Sequence, residues 1–173
     1  MSSPQKIKEA FSRTVKALTL KPSLGLGSRT STARLVHGLT CEITEGKWKL
    51  SADMAEAAGG NASAPTPGVY GRAALASCLA ICYKMYAAKM DIAIDAIEVQ
   101  VEADFDDGAL FGTSDVPAGY SEIRYIVSIE SNESEDKILN LLDEADKHSP
   151  YLDVFANKQK CVRSVHVISN KLN

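Results

Sequence analysis

The chain has 173 residues, 45% of them hydrophobic, enough for one globular unit with a substantial core. Its formal net charge of −3 argues against a general nucleic-acid surface, which needs a concentrated basic footprint. No apolar run reaches the length of a membrane span; Gly71 to Ala88 comes nearest, and Arg72 and Lys84 interrupt it.

Ile7, Phe11, Val15 and Leu18 recur at helical spacing, which predicts a helix over Pro4 to Leu20. This stretch, "KIKEAFSRTVKAL", is amphipathic and mostly basic. It reads as a packing helix rather than a transit peptide, because Glu9 sits within it, and the first residues lack a secretory pattern. The expectation is a single domain over 1–173, with 1–22 as an N-terminal helical extension. "KPSLGLGSRTS" follows as a polar loop. "TARLVHG", "LTCEITEG" and "KWKLSAD" read as strands of an antiparallel meander, with turns at "HG" and "EGK".

"AEAAGGNASAPTPG" is a small-residue connector. Thr66 suits a helix N-cap and Pro67 the first helical position, so a long helix runs from there to about Met90. Leu75, Cys78, Leu79, Cys82, Met85 and Tyr86 form one stripe, and alanines fill much of the remaining surface. Such a helix calls for burial on every side, which a dimer supplies more easily than one chain.

"AIEVQVEADF" alternates, with Ile97, Val99, Val101, Ala103 and Phe105 on the inner face. "DDGALFGTSDVPAG" reads as a loop, its paired acids as a turn. "YSEIRYIVSIES" repeats the alternation with Ile123, Tyr125, Val127 and Ile129 inward. Ser134 caps a helix whose stripe is Ile138, Leu141, Leu142 and Ala145. Ser149 caps a short one that starts at Pro150, and "CVRSVHVIS" closes the chain as a strand. Strand runs split by helices give an α+β class with antiparallel sheet, not a dinucleotide-binding βαβ fold.

Cys41, Cys78, Cys82 and Cys161 are scattered and form no disulfide framework, which suggests a reducing, cytoplasmic setting. His37, His148 and His166 are isolated, so no metal set emerges. "GLGSRTS" completes no phosphate-binding fingerprint, and no cofactor is implied. His148 before Ser149 has no acidic partner that would suggest a hydrolase. From the residues alone, Cys78 and Cys82 read as buried core thiols. A reactive Cys78 would need a nearby cation, because it lies about three turns from the helix start, where the dipole has faded.

"PTPGVYGRAALASCLAICYKMYAA" resembles the peroxidatic-cysteine helix of the OsmC/Ohr family. The preceding Gly59 and Gly60 and the later "LDEADKHSPYLDVF" fit the same order, so the resemblance runs from about Arg34 to Ile168. It implies an interleaved homodimer with antiparallel sheets around long central helices. It also implies reduction of organic hydroperoxides, with Cys78 as the nucleophile and Arg34, or next Arg29, as the cation beside it; His37 lies in a similar register. Three positions depart from the family pattern. Ser149 stands where a resolving cysteine is usual, and Gly68 and Val69 stand where acidic residues are usual. A hydroxyl forms no disulfide, so the oxidised sulfur would need an external thiol reductant. The alternative on the same fold is a non-catalytic protein that binds a small hydrophobic ligand.

Overall fold

The computed structural model describes residues 3–168. Helix α1 spans Pro4–Leu20; the Ser3 hydroxyl caps it by accepting from the Lys6 amide. Its apolar stripe is only half used. Ile7 and Phe11 are half-buried, whereas Val15 is 49% exposed. The loop after it contains a short 3₁₀ turn at Pro22–Gly25.

Three strands follow as the predicted meander: β1 (Thr32–Arg34), β2 (Cys41–Glu45) and β3 (Trp48–Ala52), antiparallel in that order. The β2–β3 hairpin pairs Glu45 with Trp48 and turns on Gly46, whose φ of 55° suits glycine. β1 is shorter than the sequence suggests and stops at Arg34.

The segment between β3 and the long helix is held by a carboxylate. Asp53, 1% exposed, accepts hydrogen bonds from the amides of Met54, Asn61 and Ser63 and from the hydroxyls of Ser63 (2.6 Å) and Thr40 (3.1 Å). These donors stabilise the charged form, with the Ser63 hydroxyl foremost, and hold its pKa down at about 2. Gly60 lies so close that a Cβ there would meet the Met54 carbonyl oxygen at 2.0 Å.

Helix α2 (Pro67–Lys89) has Thr66 at its N-cap position and Pro67 in its first turn. It is the centre of the core, packed by α1, β4 (Ala96–Asp104), α4 (Glu135–Asp146) and α5 (Pro150–Ala156). Strands β4 (Ala96–Asp104) and β5 (Glu122–Glu130) form a separate antiparallel pair, with Val99 opposite Val127 and Ile97 opposite Ile129. Both alternate between half-buried and exposed, as predicted, and their inner residues pack on α2. Phe105 does not join them. It falls past the end of β4 and is 57% exposed.

The segment read as a loop after β4 contains a short helix, α3 (Asp107–Phe111). The Asp106 carboxylate accepts from the Gly108 amide at 2.7 Å and the Ser114 hydroxyl at 2.8 Å, so the paired acids start a helix as well as a turn. Helices α4 (Glu135–Asp146) and α5 (Pro150–Ala156) lie where expected, with Leu141 and Ala145 fully buried.

The predicted closing strand is a correction. Residues 161–168 are irregular, and the rest of that segment lies outside the described residues. Val162, Val165, Val167 and Ile168 are each at least 68% exposed. A strand needs a partner for its backbone hydrogen bonds, and among the described residues this segment pairs with none of the edge strands of the two sheets. The α2 stripe also needs revision. Tyr83 is fully buried, while Met85 is 40% and Ile81 61% exposed, so one face of the long helix is uncovered.

Candidate functional site

Four residues of α2 grip the corner between α4 and α5. Helical spacing sets Cys78, Cys82, Tyr83 and Tyr86 along one side of α2. The corner forms because α4 ends at Asp146 and Pro150 starts α5 in a new direction, bridged by hydrogen bonds from the His148 amide to Ala145 and from the Ser149 amide to Asp146.

The contacts run in order along the corner. The Cys82 thiol donates to the Ala145 carbonyl at 3.5 Å. The Tyr83 hydroxyl donates to the Asp146 carboxylate at 2.7 Å, and Tyr125 from β5 donates to its other oxygen at 3.1 Å. Tyr86 stacks on His148 with centroids 5.5 Å apart and planes 14° from parallel. The Cys78 sulfur lies 3.7 Å from the Ser149 hydroxyl oxygen, within hydrogen-bond range for sulfur.

Cys78 is half-buried, and Ser149 is 3% exposed. Ser149 occupies the N-cap position of α5 yet makes no capping hydrogen bond with its side chain. Its hydroxyl turns to the thiol instead. Burial first, then the nearby Cys78 and Asp146, push the Cys82 pKa up and keep it a neutral thiol. Burial and the Asp146 carboxylate likewise push the Tyr83 and Tyr125 hydroxyls up, so both remain hydrogen-bond donors.

A second group covers the start of α2. The Tyr120 hydroxyl donates to the Gly68 carbonyl at 3.2 Å and accepts from the Arg72 guanidinium at 3.5 Å, while its ring stacks on Phe155 of α5. Gly68 thus takes part through its backbone, and Val69 is 42% exposed. Nothing in the sequence gives Tyr120 or Arg72 a site role; Tyr120 opens a segment that reads as a strand, and Arg72 lies within the helix motif only as an interruption of its apolar run. Tyr83 and Asp146 lie inside the two motifs that carry the resemblance, near Cys78 and Ser149, yet the sequence gives them no role either.

Arg34 is exposed in β1, opposite Glu42, and Arg29 and His37 are exposed in the flanking loops. No hydrogen bond links any of these three to Cys78 within the described residues. Cys41 is half-buried in β2, and Cys161 is exposed. Among the described residues no cluster of His, Cys, Asp and Glu could hold a metal ion, and no helix is long and apolar enough to cross a membrane. An apolar groove of about 520 Å³ opens between α1 and Met85, lined by Ile7, Phe11, Val15 and Leu18; Cys78 does not line it.

Residues 59–162, which include all of α2, the corner and the Cys78–Ser149 pair, match the OsmC-like protein family. The chain belongs to that family. Solved OsmC-like structures share the fold. An OsmC-like protein from Mycoplasma pneumoniae is 19% identical, with a TM-score of 0.65 over 75% of this chain and 88% of that one. An organic hydroperoxide resistance protein OsmC from Legionella pneumophila is 18% identical, with a TM-score of 0.55 over 75% and 90% of the two chains. Another organic hydroperoxide resistance protein, from Elizabethkingia anophelis, is 15% identical, with a TM-score of 0.55 over 74% and 87%. No curated protein sequence matches the chain. As an OsmC-like protein it has the expected α+β fold, with antiparallel sheets and a long central helix.

Proposed function

We propose that this OsmC-like protein is a thiol-dependent reductase of organic hydroperoxides, with Cys78 as nucleophile and a small external thiol as reductant. The observation that carries the reading is the Cys78–Ser149 approach at 3.7 Å. It joins the cysteine of the central helix to the position where the family resemblance expects a second cysteine. The family membership and the hydroperoxide-resistance names of structural neighbours support the same class of chemistry.

The chemistry balances without a second protein cysteine. The Cys78 thiolate attacks the terminal oxygen of the hydroperoxide. A sulfur–oxygen bond forms as the oxygen–oxygen bond breaks, and the departing alkoxide takes a proton and leaves as the alcohol. The sulfur, now oxidised, is a sulfenic acid. One external thiol attacks it, water leaves, and a mixed disulfide forms. A second external thiol frees Cys78 and departs as the external disulfide. Arg34 is the cation this reading assigns to the thiolate; loss of turnover in Arg34→Ala tests that assignment.

The reading includes a homodimer. The uncovered face of α2 at Ile81 and Met85 and the unpaired apolar segment at Val162 to Ile168 support it, because both would gain a partner in a second copy. A two-stranded pair such as β4–β5 also gains stability from further strands. A monomeric mass in light scattering at micromolar concentration would contradict this part. The absence of disulfides among the four cysteines fits a reducing compartment such as the cytoplasm.

The test is consumption of cumene hydroperoxide with a thiol reductant, by wild type and by Cys78→Ser. Turnover by the wild type alone is the expected result. Equal rates for the two proteins would sink the peroxidase reading.

A further inference from the structure

We infer that Ser149 is a functional partner of Cys78: its hydroxyl donates a hydrogen bond to the thiolate and, after oxidation, holds the sulfenic acid in a long-lived form. The inference deepens the peroxidase reading, and its first test is independent of peroxide chemistry.

Ser149 is nearly fully buried, and its hydroxyl must find a partner there. Its natural partner is the backbone of α5, because serine is a favoured N-cap that bonds the amides of the first turn. It makes no such bond. The hydrogen-bond partner of its side chain is the Cys78 sulfur. The position is fixed by neighbours on both sides: Asp146 is bound by two tyrosine hydroxyls, and His148 is stacked on Tyr86. The corner therefore presents a hydroxyl to the sulfur from a rigid support.

A serine hydroxyl is both donor and acceptor. Toward a neutral thiol it can accept the S–H. Toward a thiolate it can only donate, and a hydrogen bond to a charged acceptor is the stronger kind. The contact therefore favours the reacting form of Cys78. Toward a sulfenic acid the hydroxyl can bond the new oxygen, and it cannot displace it, since oxygen at this position forms no disulfide. Cys82, one turn away, is no resolving thiol either. Its proton is engaged by the Ala145 carbonyl, and burial keeps it neutral. With both neighbours unable to condense with it, the sulfenic acid waits for a thiol from solution. Without the Ser149 bond, the sulfenic acid is open to a second hydroperoxide, which transfers an oxygen to the sulfur and leaves as the alcohol, giving sulfinic acid.

Three variants separate the possibilities: Ser149→Ala, Ser149→Cys and Cys78→Ser, each first shown to be folded by its thermal transition. Alkylation of Cys78 by iodoacetamide, read site by site by mass spectrometry without any peroxide, should be about fivefold slower in Ser149→Ala, the factor one hydrogen bond supports. An unchanged rate overturns the inference, whatever the turnover. Slower alkylation without hydroperoxide consumption by the wild type supports the Ser149 contact and removes the peroxidase reading instead. In excess cumene hydroperoxide, dimedone should trap Cys78 as sulfenic acid in the wild type, and its lifetime before over-oxidation to sulfinic acid should fall about fivefold in Ser149→Ala, on the same hydrogen-bond scale. A lifetime equal to that of the wild type counts against the inference. Ser149→Cys, oxidised with diamide, should form a disulfide between Cys78 and the introduced thiol, and the bond should be lost in the Cys78→Ser background. Failure to form it would show that the two side chains do not meet in solution, and that overturns the geometry on which the inference rests.

Discussion

Tyr83→Phe removes one hydroxyl and leaves the ring in place, so it isolates the bond to Asp146. The ring is fully buried, and phenylalanine fills the same space. What is lost is a 2.7 Å hydrogen bond to a carboxylate. Bonds to charged groups are worth roughly 1.5–3 kcal/mol net, and the half-exposed Asp146 keeps Tyr125 and access to water, so about 1.5 kcal/mol is expected. In a chain of this size that corresponds to a fall of about 3–6 °C in the thermal midpoint. Tyr125→Phe, with the longer 3.1 Å bond, should cost less. The double variant should cost more than the sum, because a carboxylate within the fold then loses both protein donors. Denaturant unfolding of the four proteins at neutral pH measures all three quantities.

The sign of the pH dependence follows from the same contact. Burial and Asp146 raise the folded pKa of Tyr83, so its share of the stability is fully present below the unfolded tyrosine value of about 10 and declines as pH rises above it. Tyr83→Phe should accordingly lose less stability than wild type between neutral and strongly alkaline pH. The argument fails if Tyr83→Phe unfolds at the wild-type denaturant midpoint, or if the double variant equals Tyr83→Phe alone.

Asp53 should act in the opposite direction on the pH scale. Its folded pKa is lowered to about 2, so its contribution is complete above the unfolded value and disappears as pH falls through about 2. Asp53→Asn should flatten the acid limb of the stability profile, read by denaturation from neutral pH to strong acid; an acid limb as steep as wild type's would refute the cage. Gly60→Ala should destabilise by more than the roughly 1 kcal/mol typical of single substitutions, because the new Cβ would press on the Met54 carbonyl. A thermal midpoint equal to the wild type's would mean that the connector relaxes freely.

Local periodicity made most of the elements legible. The first helix could be read from the spacing of Ile7, Phe11, Val15 and Leu18, and the inner faces of β4 and β5 from plain alternation. The helix starts at Pro67 and Pro150 could be read from proline after a residue type that favours the N-cap position, although neither Thr66 nor Ser149 caps with its side chain. Phe105 was misplaced because alternation carries no signal of where pairing stops. Residues 161–168 have the composition of a strand, but composition does not tell whether a segment pairs with an edge. The short helix α3 was hidden because Asp and Gly advertise a turn, and a turn capped by Asp106 continues here into one helical winding. At the candidate site, the resemblance singled out Cys78 and Ser149. The grip of Tyr83 and Tyr86 on the corner was not legible, because it joins residues about sixty positions apart and tyrosine on an apolar helix reads as core; Tyr125 likewise reads as an inward strand residue. Asp53 was likewise invisible: its donors are mainly backbone amides, which have no sequence signature.

The ring contacts reach further than the family does. Phe11 of α1 meets Tyr86 edge-on, with centroids 5.5 Å apart, and Tyr86 in turn lies against His148, next to Ser149. Lys89 sits over both Phe11 and Tyr86. The family match begins only at residue 59, so α1 lies outside it, yet three rings in series connect α1 to the corner that faces Cys78. A version trimmed to the matched residues would therefore be a different object from the family part of this protein. Tyr86 would lose the aromatic edge that backs it, and the reactivity of Cys78 would be measured against a looser corner. For this chain, the boundary of the family match and the boundary set by contact do not coincide, and the second one decides what must be kept together in an assay.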